Sequence, residues 1–239
     1  VNSASAKNTL NIEDVTINGN VESTAGSVTV TDSTVTGTVR ESAVVINSSV
    51  AGQPASDRVP DNVVAVIGGQ HFESLKTAIE AANDGDTVKL LQSTTGNGTI
   101  ELSDGRSITL DMNGCNVGFD LDSRIIIYHG KLNITGSGTL YEEKPNYAPV
   151  MMYGSGEDVA DYSVVTIGPG VTLRGWAGLF INRHPEHESQ AYGIVANVHG
   201  TLESKKDISG YGGHALYING TITSNDGNVP RFILDGATL

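Results

Sequence analysis

Two polar stretches in the second half of the chain carry side chains that could bind a ligand. The first spans residues 154–162 and is acidic, and the second spans residues 183–192 and mixes histidines with carboxylates. The candidate ligand-binding residues in these stretches are Glu157, Asp158, Asp161, Arg183, His184, Glu186, His187, Glu188 and Tyr192. Such a set could hold a transition metal or contact a glycan, and a solvated polar loop is the alternative. Pro185 separates the two histidines and disfavours the helix that would place both on one face.

Trp176 and a group of aspartates are the other candidate site residues. Trp176 lies at an expected corner of the fold, where an exposed ring could stack on a sugar, and buried packing is the alternative. Asp111, Asp120 and Asp122 lie close together in sequence and are weak candidates for a metal site. Carboxylates are ligands that calcium prefers, so calcium could bind there, and ordinary turn chemistry, which also selects Asp, is the alternative. Binding of a sugar would itself require no cofactor.

Internal repeats determine where these residues lie relative to one another. Near the N-terminus, an alternating apolar strand followed by a Gly corner recurs at offsets of 18 and then 15 residues. Farther along, residues 148–173 align with 177–202 at an offset of 29, and 214–239 follow at an offset of 37. Alternation predicts strands, and uneven unit lengths favour a parallel β-helix, whose coils tolerate inserted loops. Right-handed winding is expected because parallel crossovers are nearly always right-handed.

Equivalent positions of successive coils lie side by side in such a fold. The two polar stretches should therefore leave the same corner, and long insertions on one side of a repeat protein are common binding sites. Alternation also predicts which side chains point inward. The expected core positions are Val28, Val30, Ile108, Leu110, Ile134, Val165, Ile167, Ile194 and Leu234.

One segment has helical instead of strand periodicity. Phe72, Leu75, Ile79 and Ala82 are spaced for one face of a helix, which is predicted over residues 71–83. A β-helix exposes its interior at each end, so this short α-helix is expected to cap the coils that follow. The expected domains are short β-helix coils over 1–52, a linker over 53–62 and a helix-capped parallel β-helix over 63–239.

The C-terminal coil is expected to be open. The third long unit stops at Leu239, whereas the chain continues after the equivalent residues Leu173 and Leu202. An uncovered coil presents unpaired backbone groups and an apolar interior. The protein is therefore expected to continue beyond Leu239, or to make end-to-end contact with another chain there.

The opening of the third domain resembles a known family. The run Val64–Gly69, the helical stretch Phe72–Ala82 and the strand Gly85–Leu91 resemble the opening segment of pectin-lyase-like β-helix domains. The motif covers residues 63–91, and the remaining similarity is one of coil pattern. The resemblance implies a right-handed parallel β-helix with an N-terminal cap, in a secreted or cell-surface bacterial protein. It does not imply lyase activity, because this fold carries enzymes, adhesins and passive stalks.

Composition narrows the function classes. Asp and Glu total 27 against 14 Lys and Arg, and the net charge of -13 disfavours nucleic acid and anionic membranes as partners. No apolar run is long enough for membrane insertion. We expect a non-catalytic extracellular recognition module, adhesin-like or glycan-binding, whose partner is a glycan or another host or cell-surface ligand. A polysaccharide lyase or glycoside hydrolase acting on an acidic polysaccharide is the alternative, although no catalytic motif matches residue by residue.

Overall fold

The structure is a computed structural model that describes residues 8–120, 122–144, 147–154, 163–182, 193–205, 213–219 and 231–239. These residues are mostly β, with parallel sheets and one short helix, so the predicted all-β class is confirmed. Contacts divide the chain into two compact units, Val1–Glu73 and Ser74–Leu239. The expected division at residues 52 and 63 stays a prediction. No helix among the described residues is long and apolar enough to cross a membrane.

The first unit holds three groups of strands. Its strands are β1 Thr9–Glu13, β2 Thr16–Ile17, β3 Ser27–Thr31, β4 Thr34–Val35, β5 Val44–Ile46, β6 Ser49–Val50, β7 Gln53–Pro54, β8 Ala65–Ile67 and β9 Gln70–Phe72. Strands β1, β3 and β5 form one parallel sheet, whereas β2, β4 and β6 form a second, to which β7 adds antiparallel. Strands β8 and β9 form an antiparallel hairpin. Strand β7 begins the segment that was expected to be a linker.

The register of the first unit follows the repeat. Leu10 pairs with Val28, and Val30 pairs with Val45, which are the predicted offsets of 18 and 15 residues. The side chains of Val28, Val30 and Val45 are buried in one apolar cluster. Burial of such alternating apolar faces against one another is the main favourable contribution to folding here.

The second unit is built from three sheets. Its strands are β10 Thr87–Leu90, β11 Thr94–Asn97, β12 Ile100–Leu102, β13 Ser107–Asp111, β14 Val117–Phe119, β15 Ile125–Ile127, β16 Lys131–Thr135, β17 Ser137–Tyr141, β18 Val150–Tyr153, β19 Ser163–Ile167, β20 Gly170–Gly175, β21 Ala177–Asn182, β22 Ile194–Val198, β23 Thr201–Ser204, β24 His214–Asn219 and β25 Arg231–Leu234. Within this unit the sheet orders are β10-β13-β16-β19-β22-β25, β11-β14-β17-β20-β23 and β12-β15-β18-β21-β24. Every third strand along the chain is therefore a neighbour in the same sheet, and these pairs are parallel.

The predicted core is confirmed with one exception. Eight of the nine expected core residues, all except Leu234, are at most 1% exposed. Leu234 is 46% exposed, so its prediction was wrong. It pairs with buried Val198 on one side, but β25 is the last described strand of its sheet, and nothing described pairs with its other side.

The alignment of the long repeat predicted one strand pairing correctly and another two residues out of register. Leu173 pairs with Leu202 at the predicted offset of 29, but Val165 pairs with Ala196, not with Ile194. This two-residue slip arises because more residues separate β21 from β22 than β18 from β19. Side chains alternate with a period of two, so the slip leaves the same residues facing the core.

The helix is shorter than predicted. Helix α1 spans Leu75–Ala81, with Ser74 as its N-cap, whereas His71 and Phe72 belong to strand β9. The predicted start was wrong because Phe72 pairs with Ala65 across the hairpin. The Ser74 side chain accepts the N–H of Thr77, which fixes the start of the helix.

Candidate functional site

The structure describes the strands on either side of the two polar stretches. The candidate residues Glu157, Asp158, Asp161, Arg183, His184, Glu186, His187, Glu188 and Tyr192 lie outside the described residues. Tyr153, which precedes the first stretch, pairs with Asn182, which precedes the second. Ser163 and Ile194, the first residues of the strands that follow, also pair. The chain thus enters both stretches from neighbouring strands of one sheet and leaves both into neighbouring strands of another.

A row of side chains runs across that sheet at the position where the two stretches begin. The rings of Tyr128 and Tyr153 are stacked, with centroids 4.9 Å apart and planes only 8° apart. The row continues through the register partners Asn182 and Asn219, whose side-chain amides hydrogen-bond at 3.0 Å from Asn219 Nδ2 to Asn182 Oδ1. Both tyrosine rings are half-buried. Burial raises the pKa of Tyr128, as do Tyr153 and Glu101 beside it, so its hydroxyl keeps its proton and can donate a hydrogen bond.

A second aromatic group lies two residues back along the same strands. Phe180 and Tyr217 are register partners whose rings meet edge to face at 5.1 Å. Tyr217 also contacts Trp176 at 4.9 Å and His214 at 5.2 Å. The edge-to-face contacts of Tyr217 with Phe180 and Trp176 add stability beyond the area they bury, whereas its contact with His214 is tilted. Phe180 of β21, Tyr217 of β24 and Trp176, just before β21, thus form a half-buried aromatic surface beside the tyrosine–asparagine row.

Trp176 belongs to this surface but is packed instead of free. Its ring is half-buried and meets His214 edge-on at a centroid distance of 5.2 Å. Its indole N–H is buried and has no hydrogen-bond partner among the described residues. The sequence alone leaves open whether this ring is exposed or packed, and its contacts with His214 and Tyr217 favour packing.

Two of the three aspartates proposed for metal binding make other interactions. Asp111 accepts the backbone N–H of Asn113 at 3.0 Å, and Asp122 forms a salt bridge of 3.2 Å with Lys144. Asp120 is exposed and lies close to Gly96. Across the described part of the chain, no group of three or more His, Cys, Asp or Glu side chains is arranged to hold a metal. These residues are therefore not brought together as one site.

One cluster was missed by sequence reasoning. Glu142 is only 2% exposed, and its Oε1 accepts the backbone N–H of Lys144 at 2.8 Å. Its Oε2 is buried and has no hydrogen-bond partner in the described structure. Arg124 is also buried, and its guanidinium lies 4.0 Å from the centre of the Tyr147 ring. No motif marks this cluster, because its members come from two different corners between sheets.

Two carboxyl groups of the cluster, those of Glu142 and Asp122, have pKa values that are shifted in opposite directions. Burial raises the pKa of Glu142, against the opposing effects of the Lys144 N–H and the positive charges of Arg124 and Lys144. The Tyr147 hydroxyl and Lys144 both hydrogen-bond Asp122 and lower its pKa. Two neighbouring carboxyls with opposite shifts are typical of acid–base sites and also of structural ion-pair networks.

Comparison of the chain with protein-family models, with curated proteins and with solved structures finds no match.

Proposed function

We propose that this chain is a non-catalytic glycan-recognition module of a secreted or cell-surface bacterial protein, built as a right-handed parallel β-helix of the pectin-lyase-like type. The strand order supports the fold. The chain visits three sheets in turn and then pairs with the strand three places earlier, as coils of a β-helix do. Helix α1 contacts β10, β11 and β12, the first strands of these sheets in the second unit, which is where a cap would lie. The right hand follows from the general chirality of parallel crossovers.

The observation that carries the function is the row Tyr128, Tyr153, Asn182 and Asn219. Sugars present flat patches of C–H groups that pack on aromatic faces, and ring hydroxyls that need hydrogen-bond partners. Stacked tyrosines followed by paired amides supply both on adjacent strands, which lie about 4.8 Å apart. The two polar stretches follow Tyr153 and Asn182 of this row directly in sequence, and their carboxylates, histidines and Arg183 are proposed as further contacts to the same ligand.

A glycan array tests this proposal. The full chain should bind at least one glycan class, and the double variant Tyr128→Ala/Tyr153→Ala should lose that binding. Tyr141→Ala is the matched control, because Tyr141 lies on a different sheet, between Gly118 and Arg174. Absence of any bound glycan, or equal binding by the double variant, would contradict the proposal.

Glu142 favours a second candidate function, a carbohydrate-active enzyme acting on an acidic polysaccharide. A carboxyl whose pKa is raised by burial can serve as a general acid, and nearby Arg124 and Lys144 could pair with an acidic sugar. Against this, the Glu142 side chain is almost completely covered. Release of reducing ends or of unsaturated products from pectate, alginate or hyaluronate, lost in Glu142→Gln, would favour the enzyme over the binding module.

A further inference from the structure

The first unit contains a cavity that the proposed function does not use. It has a volume of about 450 Å³ and opens to solvent at the corners that join β3 to β4 and β5 to β6. The segment from Pro54 to Asp57 forms its other side. This volume is within the range of small-ligand sites.

The wall of the cavity is held in place by hydrogen bonds. Asn47 lies in a left-handed corner, with φ of 46°. Its backbone N–H donates to Asp57 Oδ1 at 2.7 Å, and its side-chain amide donates to Asp32. One residue thereby fixes two carboxylates at the cavity, and each carboxylate keeps a second oxygen for another donor. These two hydrogen bonds hold the carboxylates in place before a ligand binds, so ordering of the carboxylates does not oppose binding.

Four hydroxyl residues complete the polar lining, and two of them, Ser33 and Ser48, already donate to backbone carbonyls. Thr34 and Ser49 are register partners on β4 and β6, so their side chains lie on neighbouring strands. Neither hydroxyl makes a hydrogen bond to any other residue that the structure describes. Each can therefore donate and accept. Pro54 and Ala55 add an apolar patch to the same cavity.

The lining chemistry selects the ligand class. The cavity has two carboxylates and no basic side chain, so an anionic ligand would be repelled, and more so by a chain of net charge -13. Carboxylate oxygens accept hydrogen bonds from neighbouring ring hydroxyls, while Thr34 and Ser49 can bond hydroxyl or ring oxygens. The Pro54 ring can pack against C–H groups. We propose that this cavity is a binding site for a neutral mono- or disaccharide, separate from the tyrosine–asparagine row.

The test is a titration of the full chain with single sugars, in which binding is monitored through the NMR resonances of the backbone amides. Glucose, galactose, mannose and N-acetylglucosamine are added singly, and at least one should shift the amides of Asn47 and Ser49 in a saturable way. Thr34→Ala/Ser49→Ala should weaken that binding about tenfold, the loss expected for two hydrogen bonds. Thr16→Ala is the matched control, since Thr16 pairs with Thr34 but does not line the cavity.

Asp57→Asn is the second variant, because it keeps an oxygen to accept the Asn47 N–H and removes the charge. It should weaken sugar binding while leaving the spectrum of the free protein largely unchanged. The proposal is overturned if no sugar shifts these amides, if the double variant binds as the parent does, or if glucuronate binds as well as glucose. Shifts caused by calcium alone would also overturn it. Resonances of Tyr128 and Tyr153 report the other site, so either site can fail independently.

Discussion

Tyr153 and Asn182 are register partners at the ends of β18 and β21, and each is followed directly by one of the two polar stretches. Tyr128 stacks on Tyr153 from the preceding strand, and Asn219 bonds Asn182 from the next one. Four successive strands thus bring aromatic and amide groups to one line.

Truncation of a core residue should test the inward-facing register. Ile167 is fully buried in β19, between its register partners Ile134 and Val198. Ile167→Ala should lower the free energy of unfolding by about 2–5 kcal/mol, and Ile167→Asp should lower it further by burying an unpaired carboxyl. Urea unfolding measures both. Thr166→Ala, on the opposite face of the same strand, should change it by less than about 1 kcal/mol, and an equal loss there would contradict the assigned faces.

The buried carboxyl of Glu142 should give stability a defined pH dependence. Burial raises its pKa in the folded state, so its neutral form is the one that the fold favours. The corresponding stability is fully present below the unfolded pKa and is lost as the pH rises through the folded pKa. Glu142→Gln keeps the acceptor for the Lys144 N–H and should therefore stabilise the protein at pH 7, with a smaller gain at pH 4. Glu143→Gln, which removes an exposed carboxyl, should not stabilise; a gain of the same size would contradict the role given to burial.

His71 should give the stability of the first unit the opposite pH dependence. Its Nε2 lies 3.0 Å from Thr29 Oγ1, and its backbone N–H donates to Ser27 Oγ at 3.0 Å. Burial is the largest influence and lowers the pKa of His71, a hydrogen bond with Val28 opposes this, and the charge of Arg40 adds to it. The folded state therefore favours the neutral ring, and the stability it contributes is lost as the pH falls from the ordinary value through the lowered pKa.

Hydrogen exchange of the β8–β9 hairpin measures this effect locally. The Val64 N–H donates to Phe72 O, and its protection should decrease at mildly acidic pH in the parent chain, after correction for intrinsic exchange. His71→Gln, which cannot gain a charge, should show a smaller decrease. Identical pH profiles in the two proteins would show that His71 does not couple to the hairpin.

The all-β class and most of the core could be predicted because strand alternation is recorded directly in the sequence. Ile108, Ile134 and Ile167 are buried as predicted, since a period of two survives even the register slip that pairs Val165 with Ala196. The start of the helix could not be predicted from periodicity. The position of Phe72 fits both the apolar face of a helix and an alternating strand. In the structure it pairs with Ala65 and therefore belongs to strand β9.

The candidate site was predicted only in part, for a related reason. Repeat alignment predicted that the two polar stretches follow equivalent strands, and Tyr153 and Asn182, the last residues of those strands, do pair. The Tyr128–Tyr153 stack and the Asn182–Asn219 pair are contacts between residues 25 and 37 positions apart, and only the register of neighbouring strands reveals them. Glu142 carries no sequence signal at all, because its burial depends on how a corner packs.

The affinity of Tyr153→Ala for a glycan identified on the array tests the central claim most directly. Trp176 is the only tryptophan of the chain and contacts Tyr217 beside the row, so its fluorescence can follow the titration. Loss of one stacking ring should weaken binding about tenfold, whereas Tyr141→Ala should bind as the parent does. If Tyr153→Ala binds with unchanged affinity, or if both variants weaken binding equally, glycans are not recognised by this face of the protein.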